Sequence, residues 1–150
     1  MASSDKTNIE TPARPAAPPA KAVPVAPPNA TMAIVAPAVG WLIPGAGHLI
    51  QKRWIRGVLL MASIGLMFCL GLAMQGKVYT PNTGDLLDML GFIGDLGAGA
   101  LYIVTRAGSY GQTAIATAVA DYGTKFIVVA GLLNVIAAVD AHHIAMGKKR

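Results

Sequence analysis

Residues 58–76, VLLMASIGLMFCLGLAMQG, run for nineteen positions without a charged side chain. As a helix at 1.5 Å per residue the stretch is about 28 Å long, which is enough to cross a hydrocarbon core of about 30 Å. It is expected to be a transmembrane helix, and the rest of the chain can be read outward from it. Ala62, Gly65, Cys69, Ala73 and Gly76 recur at helical spacing within it. They form a ridge of small residues over which a second helix can approach closely in lipid.

Toward the C-terminus, residues 125–147 enclose FIVVAGLLNVIAAVDAHHIAM between basic ends. Those residues make about 31 Å of helix and are expected to cross as well. Ala130, Asn134, Ala138, Ala141 and Ala145 lie on one face and offer a second ridge, expected to meet the first. Between the two, residues 77–84 (KVYTPNTG) read as a turn. Residues 86–105, LLDMLGFIGDLGAGALYIVT, are apolar but carry Asp88, Asp95 and four glycines. Three readings stay open for them: re-entrant, interfacial, or a further span. Residues 106–123 are weakly hydrophobic and read as an exposed connection with one short helix.

On the N-terminal side, residues 32–50 (MAIVAPAVGWLIPGAGHLI) are long enough to span, but Pro37 and Pro44 lack a backbone donor. A short, kinked or broken transmembrane helix is expected there. Residues 1–30 hold seven of the ten prolines and few large apolar side chains, so a disordered Pro/Ala-rich tail is expected. The chain is thus read as an all-α integral membrane protein. A small helical membrane domain over 31–150 would contain three transmembrane helices, or four if 86–105 crosses.

Composition agrees: 54% hydrophobic and 13% charged residues, with mean hydropathy +0.54, is not the balance of a soluble globule. The formal charge is +5, yet no basic stripe is interleaved with exposed aromatics, which argues against nucleic-acid binding. The cations gather instead as Lys52, Arg53 and Arg56 and as Lys148, Lys149 and Arg150, flanking apolar runs. Such clusters mark loops kept on the cytoplasmic face and in contact with anionic lipid headgroups. Under that tendency helices 58–76 and 125–147 return the chain to the side it left, and 32–50 would run inward from outside, with the tail on the non-cytoplasmic face. Cys69 is the single cysteine and reads as a packing residue. No basic start followed by an apolar core marks a cleavable signal in the first 20 residues.

The most specific local pattern is Trp41-Leu42-Ile43-Pro44-Gly45-Ala46-Gly47-His48, followed by Arg53, Arg56 and Gly57 at the mouth of the long helix. Pro44 stops a helix, and Gly45 and Gly47 permit backbone angles that other residues avoid. This resembles the two-transmembrane-helix hairpin domain, although Leu49-Ile50-Gln51 and Lys52-Arg53 stand where that domain has Phe-Tyr and Gly-Arg. The pattern is more similar to a family of small uncharacterised bacterial membrane proteins with a Pro-Gly-x-Gly-His turn and an Arg-x-x-Arg-Gly step. Their closing helix is matched by Ala130, Gly131, Leu132, Leu133, Asn134 and Asp140. That resemblance implies location and topology, in a bacterial cytoplasmic membrane, and no activity.

Among the polar residues, His48 reads either as a metal ligand or proton carrier, or as a turn histidine bonded to carbonyls or headgroups; the second is favoured. His142 and His143 point about 100° apart on a helix, so with Asp140 they read as a cap to the last helix, not as a metal site. Asp88 and Asp95, seven residues apart, share a face with Gly91 and Tyr102. A carboxylate at membrane depth is a functional candidate, the alternatives being a wet interfacial helix or a pairing of Asp95 with a basic residue or Asn134. No phosphate loop, Ser-His-Asp set or His-Glu-x-x-His occurs. No catalytic residue, metal or cofactor is therefore expected, and the chain is read as non-enzymatic. The expected role is a structural or accessory subunit or assembly factor that packs against itself or other membrane proteins. The alternative is a small transport or sensing component using Asp95, Asp88 and His48.

Overall fold

The computed structural model describes residues 29–112 and 114–148. The expected tail lies outside the described residues except for Asn29 and Ala30, and so do Lys149 and Arg150. Among the described residues six helices follow one another: α1 (Ala30–Leu42), α2 (Ala46–Ile50), α3 (Trp54–Ala73), α4 (Leu86–Leu96), α5 (Ala100–Ala107) and α6 (Ala118–Ala145). No strand occurs among the described residues.

Helices α3 and α6 are each long and apolar enough to cross a bilayer, which marks the chain as a membrane protein. α6 starts seven residues earlier than expected. The Thr117 hydroxyl caps it by accepting from the Ala120 N–H at 3.2 Å, and Lys125 reaches one turn back to Asp121. With 28 residues it is about 42 Å long and forms the spine against which α1, α2, α3 and α4 pack. α3 runs antiparallel to it. Gly71, near the end of α3, lies on Gly123 and Ile127, whereas Leu60, near its start, shares a wall with Asp140. Ile64 and Phe68 of α3 and Ile127, Ala130 and Ala137 of α6 make the centre of the core.

The two small-residue ridges do not meet, contrary to expectation. α3 turns Ile64, Phe68 and Gly71 inward and leaves Ala62, Cys69 and Ala73 exposed, with open space over Gly65. Gly76 lies beyond the helix, against Gly123 and Thr124. The ridge of α6 is buried from Ala130 to Ala141, and toward its C-terminal end it meets other partners, with Ala138 under Gly40 and Ala141 under Gly47.

Residues 32–50 do not form one continuous helix. α1 has 13 residues, about 20 Å, and ends at Leu42. α2 then folds back along it, because Gly47 sits on the Ala36 carbonyl and the Gly40 backbone. The reversal depends on Gly45, whose φ of +79° is disfavoured for other residues and whose absent Cβ would strike the Gly57 carbonyl. The N-terminus of α1 lies beside the C-terminus of α6, Asn29 N–H donating to the Ala145 carbonyl at 3.4 Å.

Residues 86–105 are likewise broken into two helices. α4 and α5 qualify as spanning length only when taken together, and they are bent by 113°. Each hairpin has a three-residue connection, 43–45 after Leu42 and 97–99 after Leu96, and each connection ends in a glycine of positive φ. Gly99, at φ +60°, rests directly on the Trp41 carbonyl. The tip of the second hairpin therefore meets the end of α1 halfway along α6.

Candidate functional site: polar ties within the apolar bundle

The last carbonyls of a helix have no partners within it, and in hydrocarbon no water replaces them. α1 and α4 present such ends to each other. Asn134, fully buried on α6, reaches between them: its Nδ2 donates to the Trp41 carbonyl at 2.7 Å and to the Gly97 carbonyl at 2.9 Å. Two helix ends of negative polarity are thereby joined by one amide carrying two N–H groups. Trp41 adds a third tie from its indole to the Leu96 carbonyl.

Pro37 sits inside α1 without breaking it. Having no N–H, it leaves the carbonyl four residues back, that of Ala33, without its helical partner. His142 of α6 takes the place of that donor, with Nδ1 2.7 Å from the Ala33 oxygen, a contact that requires the proton on Nδ1. His142 is thus not a cap to its own helix but completes α1. Gln51 similarly ties α2 down, its Nε2 donating to the Gly47 and Ala141 carbonyls at 3.1 and 2.9 Å.

The hairpin motif is assembled around His48. Pro44, Gly45 and Gly47 are buried in the turn, Arg53 N–H closes the loop on the His48 carbonyl at 2.9 Å, and Gly57 lets Leu49 lie on α3. The imidazole, 1% exposed, faces Asp140 with Nε2 3.2 Å from Oδ2. Both line a cavity of about 350 Å³ with Arg56, Leu59, Leu60 and Ser63. Sequence separation hid this pair, which spans 92 positions. Ser63 lines the same cavity, and no hydrogen bond joins it to His48 among the described residues.

The carboxylates of α4 serve the extended segment 77–79. Asp95 is fully buried and its Oδ2 accepts from the Tyr79 N–H at 2.7 Å, not from a cation or Asn134. Tyr102 donates to the Tyr79 carbonyl at 3.3 Å, Val78 N–H to Gly111 at 2.7 Å, and Lys77 N–H to the Thr124 hydroxyl at 2.8 Å. Asp88, half-buried, receives Lys77 Nζ at 3.4 Å and the Asn82 amide at 3.4 Å. Asp88, Gly91 and Asp95 do share a face, and it holds the backbone of 77–79 between the second hairpin and α6.

Residues 35–150 match a family of unknown function, DUF6677. The chain belongs to that family. The DUF6677 match begins within α1 and takes in both hairpins and both long helices, so the Asn134 junction and the His48–Asp140 pair fall inside it. No curated protein and no solved structure matches the chain.

Proposed function

We propose that this DUF6677 chain is a multi-pass protein of the bacterial cytoplasmic membrane that acts as a structural or accessory subunit, or assembly factor, of a larger membrane complex, with no reaction of its own. The observation carrying this reading is the outward face of α3, where Ala62, Cys69 and Ala73 are exposed and half-buried Gly65 among them has nothing within 4 Å of its missing Cβ. In lipid such a face gains by close packing with another helix. The fold leaves it unused while burying the equivalent ridge of α6.

In the bilayer α3 and α6 cross, and the α1–α2 and α4–α5 hairpins enter from opposite faces and turn back at the Asn134 junction. That arrangement differs from the three-crossing order expected from 32–50. It puts Lys52, Arg53 and Arg56 on the same face as Lys148, which the positive-inside tendency makes cytoplasmic and which meets anionic headgroups. Asn29, bonded to Ala145, brings the start of α1 to that face too.

Cys69 provides the test, since it stands on the proposed docking face. Oxidative cross-linking in native membranes should trap a second copy or a co-purifying membrane protein, and Gly65→Leu should abolish the product without lowering the amount of folded protein. Absence of any Cys69 product, with no stoichiometric partner in mild detergent, would overturn the reading. A transport or sensing component using Asp95, Asp88 and His48 is the second reading, favoured by the full burial of Asp95. Ion flux in reconstituted vesicles that is lost in Asp95→Asn would establish it.

A further inference from the structure

The cavity at His48 continues into a second one of about 390 Å³, lined by Leu60, Leu133, Ile136, Ala137, Val139, Asp140 and His143, and the two share Leu60 and Asp140. Together they form a groove between the start of α3 and the end of α6. Its composition is graded. At the outer end stand Arg56 of α3 and Asp140 and His143 of α6; farther in the walls are Leu60, Leu133 and Ile136. From His143 to Leu133 α6 covers about 15 Å, the depth of one leaflet's hydrocarbon. Leu133 adjoins Asn134, so the apolar end of the groove reaches the level where the hairpins meet.

We infer that this groove holds one aminophospholipid of the leaflet on the basic side, with its phosphodiester at Arg56, its ammonium at Asp140 and an acyl chain along Leu60, Leu133 and Ile136. Charge complementarity selects this occupant. A guanidinium presents a fork of N–H donors suited to phosphate oxygens. On the facing wall the Asp140 carboxylate, which also holds the buried His48 ring, opposes a purely anionic headgroup and favours one carrying a cation. The inference rests on α3 and α6 crossing the bilayer, not on the accessory role, and the ridge at Cys69 lies elsewhere on α3.

Native mass spectrometry of the full chain, released from nanodiscs of equal phosphatidylethanolamine and phosphatidylglycerol, tests it. One retained phosphatidylethanolamine per chain is expected, at about tenfold over the glycerol lipid, the scale of one charge-assisted hydrogen bond. Arg56→Ala should lose the lipid, and Asp140→Asn should reverse the preference toward phosphatidylglycerol, a change that mere loosening of the fold does not produce. Leu60→Trp, which fills the groove without touching either charge, should also release the lipid while the folded helix content stays unchanged. Retention in the bulk ratio, equal retention in Arg56→Ala and Leu60→Trp, or a second protein chain in place of lipid would overturn the inference. A failure here with Cys69 cross-linking intact removes the lipid site and leaves the docking face standing.

Discussion

The indole N–H of Trp41 donates to the carbonyl of Leu96 across 3.2 Å and 55 positions of sequence. It joins the last turn of α1 to the last residue of α4, so two helices of 13 and 11 residues stand end to end beside α6. Neither is long enough to span, but stacked they make a column of spanning length interrupted by a polar joint. Asn134 holds the joint from the side.

Removing Asn134 leaves two buried helix-end carbonyls without a donor. Asn134→Leu should destabilise the fold by about 1–3 kcal/mol, in the range for buried unsatisfied groups and at the upper end for interhelical bonds in membranes. Equilibrium unfolding in mixed micelles measures it. A variant as stable as the parent means the carbonyls find other donors and the junction is incidental.

Pro37 and His142 should be energetically coupled. His142→Ala alone is expected to cost about 1–2 kcal/mol, because it orphans the Ala33 carbonyl. In a Pro37→Ala background the restored backbone N–H satisfies that oxygen, and the same substitution should cost little. Additive effects in the double-mutant cycle would contradict the assignment.

Gly99 and the pair Gly45 and Gly47 set the two reversals. Valine at Gly99 faces both a positive φ and the Trp41 carbonyl, so folded membrane yield should drop severely; Gly45→Val with Gly47→Val should do the same. Gly65→Val is the control, since open space surrounds it. Equal yields for all three variants would remove the hairpin argument.

How much of this was legible in the sequence follows from the range of each signal. The long helices were visible because nineteen uncharged residues at 58–76 and the apolar run after Lys125 are local patterns. The early start of α6 was missed although Thr117, with Asp121 and Lys125 following it, carries a cap and an i,i+4 pair; the weak hydropathy there masked them. Pro44 and Gly45 announced a stop, yet length alone suggested that 32–50 continues across. What it does after the stop is decided by Gly47 lying on Ala36, a steric contact with no periodic signature. Asn134, His142 and Asp140 stood out only as polar residues in an apolar helix. Their partners, Trp41, Ala33 and His48, are 93, 109 and 92 positions away. Single-sequence periodicity shows which residues share a face and does not show what that face meets.

Topology is open to direct test by single cysteines at Asn29, Asn82 and Lys148 in a Cys69→Ala background. With two crossings, 29 and 148 should react with an impermeant reagent from the same side and 82 from the other. Labelling of 29 opposite to 148 restores the three-crossing order and removes the re-entrant reading of α1–α2.

The joint at Asn134 also orders events during synthesis. The carbonyl of Trp41 waits for an amide made 93 residues later; at about 5–20 residues per second the ribosome supplies it only after roughly 5–20 s. Until then the Trp41 carbonyl at the end of α1 lacks the donor that covers it in the finished fold. Products truncated before residue 134 cannot close the joint and should be the natural substrates of membrane proteases, which makes completion of the chain the checkpoint for its survival.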